Sequence, residues 1–136
     1  MFKSENLVEI RSQILKLNFC HDASLRKISF YKIREVDEHN GSLIYPFDDL
    51  KEMMDCDIEL ELILNSYEGA KKDQIVILEF KDTTSFSFYQ TPDFDYSDIY
   101  ELEVTENQGL QFSFYAIDKK IKTLSLTCGK FISKEL

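Results

Sequence analysis

The sequence predicts a mainly β protein: an antiparallel meander forming a barrel or sandwich, with one short N-terminal helix. Three observations carry this. Hydrophobic residues alternate with polar ones in several short runs, the signature of a half-buried pleated strand. Phe (11) and Tyr (7) are plentiful and Trp is absent, a composition that suits strands. Turn signals separate the runs at short intervals, as in meanders. With 136 residues the chain fits one domain, residues 1–136, and no linker or repeat divides it.

The helix comes first. In residues 4–17, Leu7, Ile10, Ile14 and Leu17 recur at spacings of three, four and three, one helical face, with Ser4 placed to cap the start. The alternation of Val8, Ile10, Ser12 and Ile14 is the competing strand reading. A first strand follows over about 24–34, with Ile28 and Phe30 on one face and Tyr31 and Ile33 on the other. Residues 35–41 end in Asn-Gly, a turn, and residues 42–45 pair back as a short strand that Pro46 stops. Residues 47–55 read as a helical turn or an irregular excursion.

The cleanest strand is CDIELELIL, residues 56–64. Ile58, Leu60, Leu62 and Leu64 point one way; Asp57, Glu59 and Glu61 point the other. Residues 65–73 turn the chain. QIVILEF, 74–80, is apolar enough to be covered on both faces, TSFSFYQ is a short strand and TPDFDYSD a loop. IYELEV, 99–104, sets Tyr100, Leu102 and Val104 against Glu101 and Glu103. Residues 107–109 turn into LQFSFYAI, 110–117. A second turn leads to IKTLSLTC, the expected last long strand, so the sheet is placed at about 23–131.

Charge and cysteines bound the function. The chain carries a net charge of −9, concentrated in residues 35–106, which hold 20 acids and 4 bases. Such a chain repels phosphates, so nucleic acid is not an expected partner; a basic protein is. No apolar run is long enough for a membrane span and no signal peptide is visible. Cys20, Cys56 and Cys128 are scattered and odd in number, which fits free thiols in a reducing cytoplasm.

One motif stands out: His21-Asp22-Ala23, at the mouth of the first strand. A catalytic histidine needs a nucleophile or second base within reach, and no nucleophile motif accompanies this one. A metal site needs clustered ligands, and the only other histidine is His39, in a polar turn. No cofactor or metal is expected. The simpler reading is a structural corner. Asp22 accepts from backbone N–H groups and ties the turn, while a neutral His21 bridges two segments.

Two acidic blocks are candidates for partner binding. Residues 48–61 hold seven acids and one lysine; residues 93–106 hold six acids and no base. If their strands share a sheet, Glu59, Glu61, Glu101 and Glu103 form one outer surface, joined by Asp57, Asp93, Asp95 and Asp98. The aromatics Phe94 and Tyr96, with Tyr89, supply apolar anchors among these acids, while Phe86 and Phe88 pack inward. A solvated face that resists aggregation is the plain alternative.

The phenylalanine before the His-Asp-Ala corner, the alternating strand after it, DIELELIL, VILEFKDTTSFSFYQ, IYELEVTENQGLQFSFY and LSLTCGKF together resemble small bacterial families. These are the Immunity protein fifty family of polymorphic toxin systems and the YxiG-like proteins. The likeness covers about residues 19–131, with Asn18-Phe19-Cys20 in place of the proline and small residue that often precede the corner. It implies a β-dominated fold and toxin neutralisation, with no catalytic residues. The leading expectation is therefore a cytoplasmic, non-catalytic binding protein that docks a basic partner, such as a cognate toxin domain. The alternatives are an enzymatic or small-ligand-binding β domain with an aromatic pocket near His21, and a subunit that assembles through a strand edge.

Overall fold

Alternation along each strand sets the architecture. In the computed structural model, the described residues include twelve strands and one α-helix, arranged as a six-stranded sheet of order β1-β12-β6-β5-β2-β8, a four-stranded sheet of order β7-β11-β10-β9, and a small β3-β4 pair. The strands are β1 (Phe2–Ser4), β2 (Ala23–Tyr31), β3 (Glu35–Val36), β4 (Leu43–Ile44), β5 (Cys56–Leu64) and β6 (Gln74–Thr83). They continue with β7 (Ser85–Phe88), β8 (Asp98–Ile99), β9 (Glu101–Glu106), β10 (Leu110–Ala116), β11 (Ile121–Cys128) and β12 (Lys130–Glu135); the helix α1 is Leu7–Lys16. The structure describes residues 1–31, 35–36, 38–41, 43–44, 56–64, 74–95 and 97–136. The expected excursion at 47–55 and turn at 65–73 lie outside the described residues.

Every strand pairing among the described residues is antiparallel, and the two larger sheets pack as a sandwich without closing into a barrel. Strands β9, β10 and β11 form the expected meander. The larger sheet is more complex, because β12 returns to lie between β1 and β6. Across β5 and β6, Ile58 faces Phe80, Leu60 faces Leu78, and Leu62 faces Val76, all six buried. Phe112 and Phe114 on β10 meet them from the other sheet. Phe80 stands edge-on to Phe112, with ring centroids 4.8 Å apart, and Phe131 packs 5.0 Å from Phe112. Edge-to-face rings add about 0.5–1.5 kcal/mol beyond the area they bury.

Three chain segments pass from one sheet to the other with a single residue between strands. Thr84 separates β6 from β7, Tyr100 separates β8 from β9, and Gly129 separates β11 from β12. The bends stay hydrogen-bonded: Thr84 N–H donates to Thr127 O at 2.9 Å, Gly129 N–H to Lys81 O at 3.0 Å, and Tyr100 N–H to Tyr115 O at 2.8 Å. Strands that switch sheets at such corners are how sandwiches of crossing sheets are joined.

Several expectations are corrected here. The helix begins later, at Leu7, with Asn6 as its N-cap accepting from Glu9 N–H at 3.0 Å. Ser4 instead closes β1, and its hydroxyl donates to Glu9 at 2.6 Å and accepts from Asn6 N–H. The expected strand at 99–104 is broken at Tyr100, so Ile99 is buried in one sheet and Leu102 in the other. β11 is not the last strand, since β12 carries the sheet to Glu135. Ile10, Ile14 and Leu17 are buried, and Leu7 packs partly against them, as the 3.6-residue period requires.

The helix lies at the side of the sandwich and ties both sheets. Arg11 donates to Val104 O on β9 from Nε at 3.3 Å and Nη2 at 3.2 Å. Gln13 donates to the Ser133 hydroxyl on β12 at 3.1 Å. No helix among the described residues is long and apolar enough to cross a membrane.

Candidate functional site: the loop end of the sandwich

The His-Asp corner is built by left-handed backbone. After Leu17, residues Asn18, Phe19, Cys20 and Asp22 all take positive φ, at a cost of about 1–2 kcal/mol each for a residue with a Cβ. Burial of Leu17 and Cys20 against the core offsets it. This turn swings His21 over the bend at Tyr100. His21 Nδ1 lies 2.7 Å from Tyr100 O; a carbonyl only accepts, so Nδ1 carries the proton and donates. The imidazole also stands edge-on to the Tyr100 ring at 4.9 Å, and its Nε2 is 3.4 Å from Asp22 Oδ2. The Tyr100 hydroxyl hydrogen-bonds to Asp118, which holds its pKa above the usual phenol value. His21 thus joins the chain that enters β2 to the residue at which β8 passes into β9. Replacing it, His21→Ala, is expected to cost about 1–2 kcal/mol, the loss of one part-buried hydrogen bond and its ring contact. Urea denaturation read by near-ultraviolet circular dichroism checks this; an unchanged midpoint refutes it.

Cys20 beside the corner is fully buried, and burial pushes its thiol up to about 12; burial does the same for Cys128, also to about 12. These thiols stay protonated in the folded chain while the unfolded chain loses the proton near its ordinary 9.0. Above about pH 9 the unfolded state therefore binds fewer protons, and stability falls as pH rises toward 12. Denaturation between pH 8 and pH 10.5 checks the sign, and the paired Cys20→Ala and Cys128→Ala substitutions should flatten the slope.

The acidic residues are distributed differently from the expected single face. β5 lies inside the six-stranded sheet and β9 is the end strand of the four-stranded sheet, so Glu59 and Glu61 do not share a sheet with Glu101 and Glu103. Most are also neutralised. Lys81 Nζ is 3.2 Å from Asp57, Arg26 Nε is 2.9 Å from Glu61, and Lys119 Nζ sits 2.7 Å from both Glu101 and Glu103. Hydrogen bonds to those two glutamates hold the Lys119 ammonium well above the usual lysine range. Glu59 faces Glu79, whose charge Lys134 meets at 2.6 Å. The sheet carboxylates are thus largely matched within the molecule. Among the described residues, no group of three or more histidines, cysteines and carboxylates is arranged to hold a metal ion.

The loop at 89–98 is different. Its Asp93, Asp95 and Asp98 are exposed, and no lysine or arginine among the described residues pairs with any of them. Asp95 accepts from Ser97 N–H at 2.9 Å and from its hydroxyl at 2.7 Å, an Asx turn that holds its carboxyl below the usual range. Gln90 closes the loop by donating to Thr91 O and Phe94 O, each at 2.6 Å. Tyr89 stacks on Phe94, with centroids 5.7 Å apart and planes 29° apart, and Tyr89 is half exposed. Tyr96 lies outside the described residues. Phe88 is 43 % exposed, so its inward packing is incomplete, while Phe86 meets Phe30 edge-on at 4.9 Å.

Tyr100 joins the corner at 18–22 to the turn at 117–120: its carbonyl and ring meet His21, and its hydroxyl meets Asp118. Tyr89 N–H donates to Thr123 O, which anchors the loop beside the same turn. The sequence took Phe19 only as part of the corner motif and Ile117 as the end of a strand; here both are exposed, and Ile117 lies in the turn after β10.

The arrangement defines a β-sandwich whose loop end carries an unmatched acidic and aromatic surface. Comparison of the chain with family models, curated proteins and solved structures finds no match.

Proposed function

We propose that this chain is a non-catalytic, cytoplasmic binding protein that docks a basic partner protein through the loop end of its sandwich. One observation carries the reading. The Tyr89–Phe94 stack, held by the Gln90 hydrogen bonds, sits among Asp93, Asp95 and Asp98, which no cation among the described residues neutralises. Stacked rings in a fixed loop supply contact area at little cost in conformational entropy. Unmatched carboxylates beside them steer a basic surface in and reject acidic ones. The glutamates of β5 and β9 have a mainly structural part in this proposal, because lysines and arginines already meet most of them.

The role we assign is neutralisation of a toxin domain by covering its active site, with no chemistry done by this chain. The His21-Asp22-Ala23 corner and the strand pattern that resemble toxin-immunity families support it. Co-expression with a toxin encoded beside it should restore growth, and growth that stays arrested with every such neighbouring toxin removes the immunity role.

A further inference from the structure

The helix α1 has a second, largely apolar stripe that the sandwich does not bury. Ile10, Ile14 and Leu17 turn one side of the helix into the core. On the other side stand Val8, Ser12, Leu15 and, in the turn just past the helix, Phe19, at spacings of four, three and four. That is the seam of a paired helix, in which apolar residues recur about every 3.5 positions. Val8 is 74 % exposed, Leu15 60 % and Phe19 38 %. Single exposed apolar side chains are ordinary on a protein surface; a run of them at seam spacing is not. Charge singles out the same element. Residues 5–16 carry Glu5 and Glu9 against Arg11 and Lys16, so this stretch is neutral in a chain of net charge −9. The groove of about 640 Å3 beside the stripe, between α1 and residues 101–105, is balanced too, with Arg11 and Lys119 against Glu101 and Glu103.

We propose that two copies of this chain pair through this stripe, α1 against α1, antiparallel about a twofold axis near Ser12. The pairing is independent of the docking role above, which uses the loop end. Charge order favours a second copy as the occupant. The acids stand at positions 5 and 9 and the bases at 11 and 16, so an antiparallel copy brings Glu9 against the partner's Lys16 at both ends of the contact. A parallel copy would set Glu9 against Glu9. The same twofold packs Val8 on the partner's Leu15 and puts the small Ser12 at the crossing, where it lets the helices approach. A strongly basic or strongly acidic partner would meet like charge along α1 and its groove, whereas a balanced surface is matched by its own twofold image. Two chains of net charge −9 also repel each other least across a neutral element. The stripe is short, so the pair is weak and depends on concentration.

Sedimentation equilibrium of the full chain in about 0.15 M salt tests this. The chain is expected to be monomeric at about 5 µM and mostly dimeric at about 1 mM, the range of a small interface. Val8→Gln combined with Leu15→Gln should weaken self-association about tenfold or more. The same variant should leave thermal unfolding at low concentration unchanged, because both positions are exposed. Charge reversal tests the register. Glu9→Lys sets lysine against the partner's Lys16, and Lys16→Glu sets glutamate against the partner's Glu9. Each variant alone should therefore self-associate about fivefold more weakly. Mixed together, the two variants restore opposite charges at both ends and should pair with each other as well as the natural chain pairs with itself. A chain that stays monomeric at about 1 mM overturns the proposal. So does a dimer that the double glutamine variant leaves intact. Charge variants that associate no better mixed than alone overturn the antiparallel pairing.

Discussion

Phe80→Ala should destabilise the protein by about 3–5 kcal/mol, the range for truncating a buried aromatic, because the cavity it leaves cannot fully collapse. Phe80 is fully buried at the centre of β6. Its ring meets Phe112 at 4.8 Å, Phe131 at 5.6 Å and Phe114 at 6.5 Å. These partners come from β10 and β12, so the lost ring unsupports both sheets at once. Total stabilities of single domains are about 5–15 kcal/mol, so this one substitution removes a large share. Phe80→Leu keeps most of the volume and should cost clearly less. Chemical denaturation of the two variants checks the order; equal losses would show that ring contacts contribute little.

The second large effect concerns association. Replacing Asp93, Asp95 and Asp98 with asparagine keeps side-chain size and the Ser97 hydrogen bonds to position 95, but removes three unmatched charges. At low ionic strength the on-rate for the basic partner should fall by about tenfold or more, with a smaller change above roughly 0.5 M salt, where the Debye length is only a few ångströms. Converting Glu101 and Glu103 to glutamine should change the on-rate less, because Lys119 between them already offsets one of the two charges. Stopped-flow association at two salt concentrations separates the cases. If the glutamine pair has the larger effect, the docking surface lies on β9 and not on the loop.

Much of the fold was legible because burial imposes period. CDIELELIL reads correctly as β5, since one face must be apolar when the other is wet, and Ile10 and Ile14 declare α1 by the same logic at 3.6 residues. What was hidden depends on long-range register. A chain that changes sheets at Tyr100 alternates correctly on both sides of the bend, so residues 99–104 look like one strand. β1 is three residues long, too short to show a period, and β12 follows Gly129, which reads as a turn. The charge on the sheets was misjudged for a related reason. Lys119 is sixteen residues from Glu103, and Lys81 twenty-four from Asp57; only strand pairing brings them together. The loop at 89–98 stayed readable because nothing distant neutralises it among the described residues.

The three single-residue crossings at Thr84, Tyr100 and Gly129 carry a consequence for how the molecule comes apart. A layer held by separate loops could melt alone; here each layer is continued by the other's own backbone, so neither can fray far without dragging its neighbour. Thermal unfolding should then proceed as one all-or-none event, with both layers lost at the same temperature. The pairings that define the layers join distant parts of the chain, such as Phe2 with Ser133 and Phe86 with Leu126. Refolding must therefore wait for remote segments to meet, which places it on the millisecond-to-second scale of β sandwiches rather than with the fast helical bundles.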